Sequence, residues 1–299
     1  MMQRYITYLR GKANNHILLQ GLSDWYDLGP ERPGFCQLTT PGITATAIYY
    51  YDLCILGEIA AMLGKTSDAA GYKKHAQEVR KAFNDKFFNK ETKQYGTGSQ
   101  TSNAMALYMD LVEPAYRKEV LNNLVNDIRT RNYALTAGDI GYRYVLKALE
   151  EGGYSDVIVK MNSRTDVPGY GYQLAKGATA LTESWSALPV VSNNHFMLGH
   201  LMEWFYAGLC GLKTEKGSVA FKQIRIAPQV TGDITNASAR YESPYGLVSV
   251  NWERNGKQFR MRVVIPPNTT ATIELPANNK YKTPVKTGSG EHVYEVTLQ

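Results

Sequence analysis

The sequence predicts a mainly α-helical chain that ends in an all-β domain, and two observations carry that expectation. Apolar residues recur at three- and four-residue steps from the start to about residue 212, then at alternate positions from residue 213 onward. The turn residues change with them. In the first part Gly and Pro gather in two long stretches, 14–42 and 162–194, whereas in the second they punctuate short segments. The change falls near Lys213–Gly217, which divides the chain into domains 1–212 and 213–299.

A short helix is expected over residues 1–13. Residues 43–63 follow as a strongly apolar helix in which Ala47, Ile48, Tyr51, Ile55, Ile59 and Met62 keep helical spacing. Gly64 suits the residue just past its end, and Ser67-Asp68 opens the next helix, over 69–88, so the pair reads as an αα-hairpin. Further helices are expected at 100–111, 114–131 (with Pro114 at the first helical position), 137–150, 154–161 and 195–212, with no convincing strand between them. Antiparallel helices joined by alternately short and long connections predict a toroid or solenoid. The two long connections have the composition of binding loops. About seven strands are expected after residue 213, forming an antiparallel β-sandwich; the clearest hairpin turns at Asn255-Gly256.

Composition excludes several classes. The net charge of +6 is modest and its Lys and Arg are scattered among acids, so no nucleic-acid partner is expected. Cys36, Cys54 and Cys210 are far apart and odd in number, with no metal-ligand spacing, so neither a disulfide framework nor a metal or other cofactor is expected. No segment is apolar enough for a signal peptide or a membrane span, and no membrane partner is expected. Tyr is abundant, 21 against 8 Phe, and its flat face with a polar tip suits sugar-binding surfaces as well as cores.

Three segments carry polar and aromatic residues that helix packing does not require. In the first, Asp24 and Asp27 flank Trp25-Tyr26; the functional reading is a sugar pocket, the structural one a helix cap and a core Trp. The second runs from Tyr170-Gly171-Tyr172 to Glu183-Ser184-Trp185. Glu183 lies among apolar and small residues, where desolvation moves a carboxylate's proton affinity toward the range of a general base. The structural reading is a Glu on a solvated helix face. In the third, His195 opens a helix whose dipole favours the neutral imidazole, which makes it a candidate hydroxyl ligand or a local hydrogen bonder. No Ser/His/Asp spacing, phosphate loop or HExxH pattern competes.

Gly177-Ala178-Thr179-Ala180-Leu181-Thr182-Glu183-Ser184-Trp185, Asn193-Asn194-His195-Phe196 and the 203–212 segment beginning Glu-Trp-Phe-Tyr strongly resemble the bacterial α-L-rhamnosidase family, inverting glycoside hydrolases. Ser23-Asp24-Trp25 resembles that family's Gly-Asp-Trp loop, Ser99-Gln100-Thr101 its Ser-Gln-Thr helix start, and residues 136–141 its Thr-Gly-x-Gly region. The resemblance implies an incomplete (α/α)6 toroid followed by the β-sandwich. It implies Glu183 as general base, with Asp24, Trp25, Tyr170, Tyr172, Trp185 and His195 binding substrate. Thr182 stands where the family commonly has Trp. The family's general-acid segment is absent, so the chain is expected to be a C-terminal fragment carrying half of the catalytic pair, inactive or weak by itself and prone to self-association. A rhamnose-containing glycan or glycoside is the implied partner, and a periplasmic or extracellular address the implied location. Two other readings stay open: a different toroid enzyme (an unsaturated-uronyl hydrolase or a lyase), or a non-catalytic glycan-binding fragment.

Overall fold

The computed structural model describes residues 1–276 and 284–298. The chain forms two compact units, Met1–Gly152 with Lys160–Gly199, and Gly153–Val159 with His200–Gln299.

In the first unit, helices α1 (Met2–Lys12), α2 (Pro41–Met62), α3 (Thr66–Phe87), α4 (Gln100–Tyr108), α5 (Arg117–Thr130) and α6 (Gly141–Glu151) follow one another. α7 (Ser155–Ser163) carries the division between the units, and α8 (Tyr170–Ala175) lies within the second long connection. Burial alternates along the series. α2 buries residues around much of its girth, from Ile43 and Ala47 to Tyr49, Tyr50 and Leu53. α3 buries only a stripe of His75, Ala76, Val79 and Phe83 and leaves its charged face in water. α4 is buried from Gln100 to Leu107, while α5 again buries a stripe, Val120, Leu124, Val125 and Ile128. An enclosed helix paired with an amphipathic one is the repeat expected when inner helices are wrapped by outer helices. Gly64, at φ +68, ends α2 and turns the chain into α3 through three residues, so that pair is the expected hairpin. No described helix is long and apolar enough to cross a membrane.

Several boundaries differ from expectation for identifiable reasons. The helix expected from residue 137 begins at Gly141, because residues 136–140 spend their backbone groups on the neighbouring loop. Residues 88–89 and 94–95 pair as a small hairpin, β1 (Phe88–Asn89) with β2 (Gln94–Tyr95), and fully buried Tyr95 is its anchor. The single helix expected over 195–212 is instead a 3-10 turn at Phe196–Leu198, then α9 (Leu201–Trp204), then a π-helical turn at Phe205–Leu209. The Cys210 N–H donates to Phe205 O at 3.0 Å, the five-residue step that widens this turn.

The second unit holds the β-sandwich. β10 (Gly290–Thr297), β7 (Gln258–Ile265), β6 (Gly246–Asn255) and β5 (Asn236–Ser243) form one antiparallel sheet in that order. β3 (Leu212–Thr214), β4 (Gln223–Ile226), β8 (Thr270–Ile273) and β9 (Val285–Thr287) form the other. Here the pairing is mixed: β4 and β8 run parallel, which a chain that crosses between sheets before returning permits. Alternation dictates the faces, since Val248, Val250 and Trp252 of β6 and Phe259, Met261, Val263 and Ile265 of β7 are buried while Arg260 and Arg262 point out. The expected hairpin is present, with Asn255 paired to Gln258 and Gly256, at φ +56, opening the two-residue turn.

Phe83 is fully buried and packs its ring 5.1 Å from Phe87 and 5.5 Å from Tyr95. Phe83→Ala is expected to destabilise the helical unit by about 3–5 kcal/mol, read as a lowered urea midpoint in far-ultraviolet circular dichroism.

Candidate active site

The site is built on a buried carboxylate. Asp24 is wholly excluded from solvent and accepts from the Thr101 hydroxyl, from Gly138 N–H at 3.0 Å and from Gly141 N–H at 2.7 Å. It joins the 21–27 loop to the starts of α4 and α6. Burial pushes its pKa up to about 6, against the pull of its three donors. Asp27 does similar work within the loop: it accepts from the N–H groups of Gln37, Leu38 and Thr39 and folds the Pro- and Gly-rich stretch back on itself. The two acids that flank Trp25-Tyr26 are therefore both engaged by donors of the protein itself. Asp24, expected to bind substrate, cannot reach one without the loop opening.

A second strand of chain lies against this loop. Asp139 N–H donates to Trp25 O at 2.8 Å and Leu28 N–H to Thr136 O at 2.9 Å, while Gln100 Oε1 accepts from Thr136 N–H at 3.1 Å. Gly138 packs so closely on the Trp25 and Asp27 backbone that a Cβ would collide with it. With both edges tied, Asp139 is 6% exposed, and its Oδ1 is buried with no hydrogen-bond partner among the described residues. Burial first, then the fields of Glu183 and Asp24, push its pKa up to about 7.

Glu183 and His195 are brought together by backbone pairing of two loop segments. Glu183 N–H donates to Ser192 O and His195 N–H to Leu181 O, both at 2.9 Å, and Ser192 N–H donates back to Glu183 Oε2 at 3.2 Å. Its neighbours Thr182, Ser184 and Trp185 are fully buried, so Glu183 alone of that run turns its side chain outward, 20% exposed. The His195 ring bridges the two carboxylates: Nδ1 lies 3.9 Å from Glu183 Oε1 and Nε2 lies 3.7 Å from Asp139 Oδ2. One oxygen of each acid and one ring nitrogen fall within 4.8 Å of one another. His195 precedes a turn of three residues, not a long helix.

The aromatic residues divide. Trp25 is half-buried, set edge-on to the exposed Phe35 at 5.1 Å, and borders with Asp139, Ser23, Thr44, Ile48 and Met197 a cleft of about 380 Å³. Tyr26 is half-buried at φ +61, and burial and then the Glu183 field raise its hydroxyl above the ordinary value. Trp185, expected to bind substrate, is fully buried. Its indole N–H donates to Ala137 O at 2.8 Å, and it stacks edge-on with Tyr142 at 4.8 Å and Tyr170 at 5.3 Å. It is a core residue behind the site, because the segment that carries Glu183 needs an inward anchor. Tyr170 is half-buried in that cluster, with its hydroxyl donating to Leu198 O, and Tyr172 lies under the Lys176 ammonium. Neither is among the residues bordering the cleft. Asp139 and Tyr26 are the residues that sequence reasoning left out of the site. The Thr-Ala-Gly-Asp-Ile-Gly run was the available signal for Asp139, since small residues around a lone acid mark close backbone approach.

Two family models match the chain: the bacterial alpha-L-rhamnosidase 6 hairpin glycosidase domain over residues 1–209, and the bacterial alpha-L-rhamnosidase C-terminal domain over residues 211–290. An alpha-L-rhamnosidase of Streptomyces avermitilis is 30% identical over 268 residues, which is 87% of this chain and 25% of that protein. One from Formosa agariphila is 28% identical over 289 residues, 93% of this chain and 31% of that protein. Among solved structures, the alpha-L-rhamnosidase from Dictyoglumus thermophilum superposes with a TM-score of 0.91 at 28% identity, covering 99% of this chain and 36% of that one. The Streptomyces avermitilis enzyme complexed with L-rhamnose gives 0.89 at 27%, covering 99% and 30%. The chain thus spans about a third of the length of the relatives it matches, and the expected fold, an incomplete (α/α)6 toroid and a β-sandwich, is the one it has.

The two raised carboxyls make stability depend on pH in an unusual direction. Both Asp24 and Asp139 hold a proton more tightly folded than unfolded, where the value is 3.8. Their contribution is therefore complete below about pH 4 and is lost as pH rises through about 7. Asp139→Asn is expected to raise stability at pH 8 by on the order of 2 kcal/mol and to change it little at pH 4, checked by urea unfolding at both values.

Proposed function

The chain belongs to the bacterial α-L-rhamnosidase family, and from that premise we propose that it carries the general-base half of an inverting α-L-rhamnosidase site. Glu183 deprotonates the water that attacks the anomeric carbon of a terminal α-L-rhamnosyl group. The observation that carries this reading is the Glu183–His195–Asp139 cluster: a partly exposed carboxylate, an imidazole between two acids, and buried polar atoms, Asp139 Oδ1 and His195 Nε2, that make no hydrogen bond among the described residues. Such atoms are ready to bond a sugar hydroxyl.

In this reading a water hydrogen-bonded to Glu183 loses its proton as the C–O bond forms. His195 and Asp139 hold hydroxyls of the sugar ring, and Trp25 meets its C–H face across the cleft that Asp139 also borders. Tyr170 and Tyr172 are proposed as more distant pocket residues. Asp139, protonated near neutrality, is not proposed as the acid partner of Glu183. Their nearest oxygens lie within 4.8 Å, whereas an inverting pair stands roughly 6.5–9.5 Å apart to admit water. The proton donor is accordingly placed outside residues 1–299, and the chain alone is expected to have little or no activity.

The partner implied is a rhamnose-containing glycan or glycoside, met in the periplasm or outside the cell. The division into a partial catalytic toroid over 1–212 and a β-sandwich domain over 213–299 belongs to the same proposal, as does self-association of the chain. Sedimentation velocity checks the last point: species larger than the 33.4 kDa monomer are expected, and a clean monomer counts against it.

The base assignment is tested in the protein together with whatever residues its gene encodes upstream. Glu183→Gln is expected to lower kcat on an aryl α-L-rhamnoside by about 10²–10⁴-fold, with KM changing far less. Proton NMR of the first-formed sugar is expected to show β-L-rhamnose, the inverted product. An unchanged rate in Glu183→Gln, or retention of configuration, overturns the assignment.

A further inference from the structure

Away from the Glu183 cluster, a second convergence of ligating side chains sits where α1, α2 and α3 meet. One ring nitrogen each of His16 and His75 and a carboxylate oxygen of Glu78 lie within 4.8 Å of one another. We propose that His16, His75 and Glu78 bind a divalent transition-metal ion of the zinc class, clamping the connection between α1 and α2 onto α3.

Each ligand is held by a different part of the fold. His75 and Glu78 stand three residues apart on α3, which puts both on one face of the helix. His75 is 9% exposed and Glu78 lies at the surface, so one ligand is fixed and the other free to adjust. His16 comes from a tight turn in which Asn14 and Ile17 exchange both backbone hydrogen bonds at 2.9 Å. Asn15 and His16 at its centre have φ +48 and +67, the left-handed region that few non-Gly residues adopt and in which Asn and His are among the commoner ones. The turn is anchored by buried Ile17 and Leu18, with Leu18 N–H donating to Thr46 Oγ1 of α2 at 3.0 Å. A strained His held on a rigid base and aimed at a second His is costly for a merely solvated side chain.

The orientation of His75 completes the site. The Tyr49 hydroxyl lies 3.0 Å from His75 Nε2, and Tyr49 is fully buried. With Nε2–H donating to the phenol oxygen, Nδ1 keeps its lone pair, the arrangement usual for a metal-binding His. Two imidazoles and one carboxylate suit zinc, with the fourth position left to water. Ligands 2.0–2.1 Å from a tetrahedral ion are about 3.3 Å apart, so no pair in the cluster needs to close by more than about 1.5 Å. Arg10 opposes the cation from the α1 side, and the Glu78 charge offsets it.

The test uses the tag-free, chelator-stripped chain titrated with Zn²⁺ by calorimetry and with Co²⁺ by visible absorption. One site is expected, with a Kd in the micromolar range or below, and Co²⁺ bands free of the thiolate charge transfer that Cys36 or Cys54 would give. His16→Ala and Glu78→Gln, each checked for folding by circular dichroism, are each expected to weaken binding at least tenfold. His195→Ala is expected to leave it unchanged. The absence of binding below millimolar Zn²⁺, wild-type affinity in both His16→Ala and Glu78→Gln, or loss of the site in His195→Ala overturns the proposal.

Discussion

The helical unit depends on one buried carboxylate with three donors. Asp24 gathers the hydroxyl of Thr101 and the N–H groups of Gly138 and Gly141, so one side chain fixes where three segments distant in sequence meet. An unpaired charge at zero exposure would not survive, and three charge-assisted hydrogen bonds are what make this one tolerable. Its ligands explain the neighbouring glycines. At Gly141 a Cβ would press on Thr101 and Asp24, and at Gly138 on the Trp25 backbone. Residues 136–140 stay outside the helix, with the N–H groups of Gly138 and Asp139 serving this contact.

From that arrangement the electrostatics of the site follow. Fixing residues 136–141 against the Trp25 loop buries Asp139 beside a second acid, and none of the described residues donates to its Oδ1. The cost is a carboxyl whose pKa is pushed up to about 7 and an imidazole set between it and Glu183. Such a group is expensive for folding and useful for binding, since a substrate hydroxyl can supply the missing hydrogen bond and release the strain. Ser23 and Tyr26, at φ +59 and +61 in the same loop, add backbone strain to the same place.

The sequence made legible what short-range pattern determines. The α2–α3 hairpin, the helix after Pro114 and the alternation of β6 and β7 follow from spacing and turn residues within a few positions. Glu183 and His195 stood out for the same reason, because each lies in a short run of unusual composition, and the backbone pairing of 181–183 with 192–195 brings them together. Contacts between distant segments were not legible in the same way. Asp24 looks like a hydroxyl ligand until its donors arrive from α4 and α6, and Trp185 looks like a stacking platform until Tyr142 and Tyr170 enclose it. Of the two uses that abundant Tyr left open, Tyr49, Tyr95 and Tyr142 serve the core, being fully buried. The His16–His75 convergence could not be read from spacing at all, because it depends on a strained turn folding onto α3.

These misreadings share a physical cause that bears on how the base is held. A carboxylate that must accept a proton from water has to be partly exposed, yet a residue that must be placed to within a fraction of an ångström needs a rigid mount. The chain resolves this by alternation along 182–185. Thr182, Ser184 and Trp185 are driven inward, Thr182 Oγ1 donating to Ser184 O at 2.7 Å and the Trp185 indole to Ala137 O, while Glu183 is left facing out. The mount therefore ends on residue 137, one position before Gly138, which donates to Asp24. The Trp185 indole and Asp24 thus bind the two sides of the same 137–138 peptide group, and the hydroxyl at residue 182, where the family commonly has Trp, closes the turn beside Glu183 through Ser184 O.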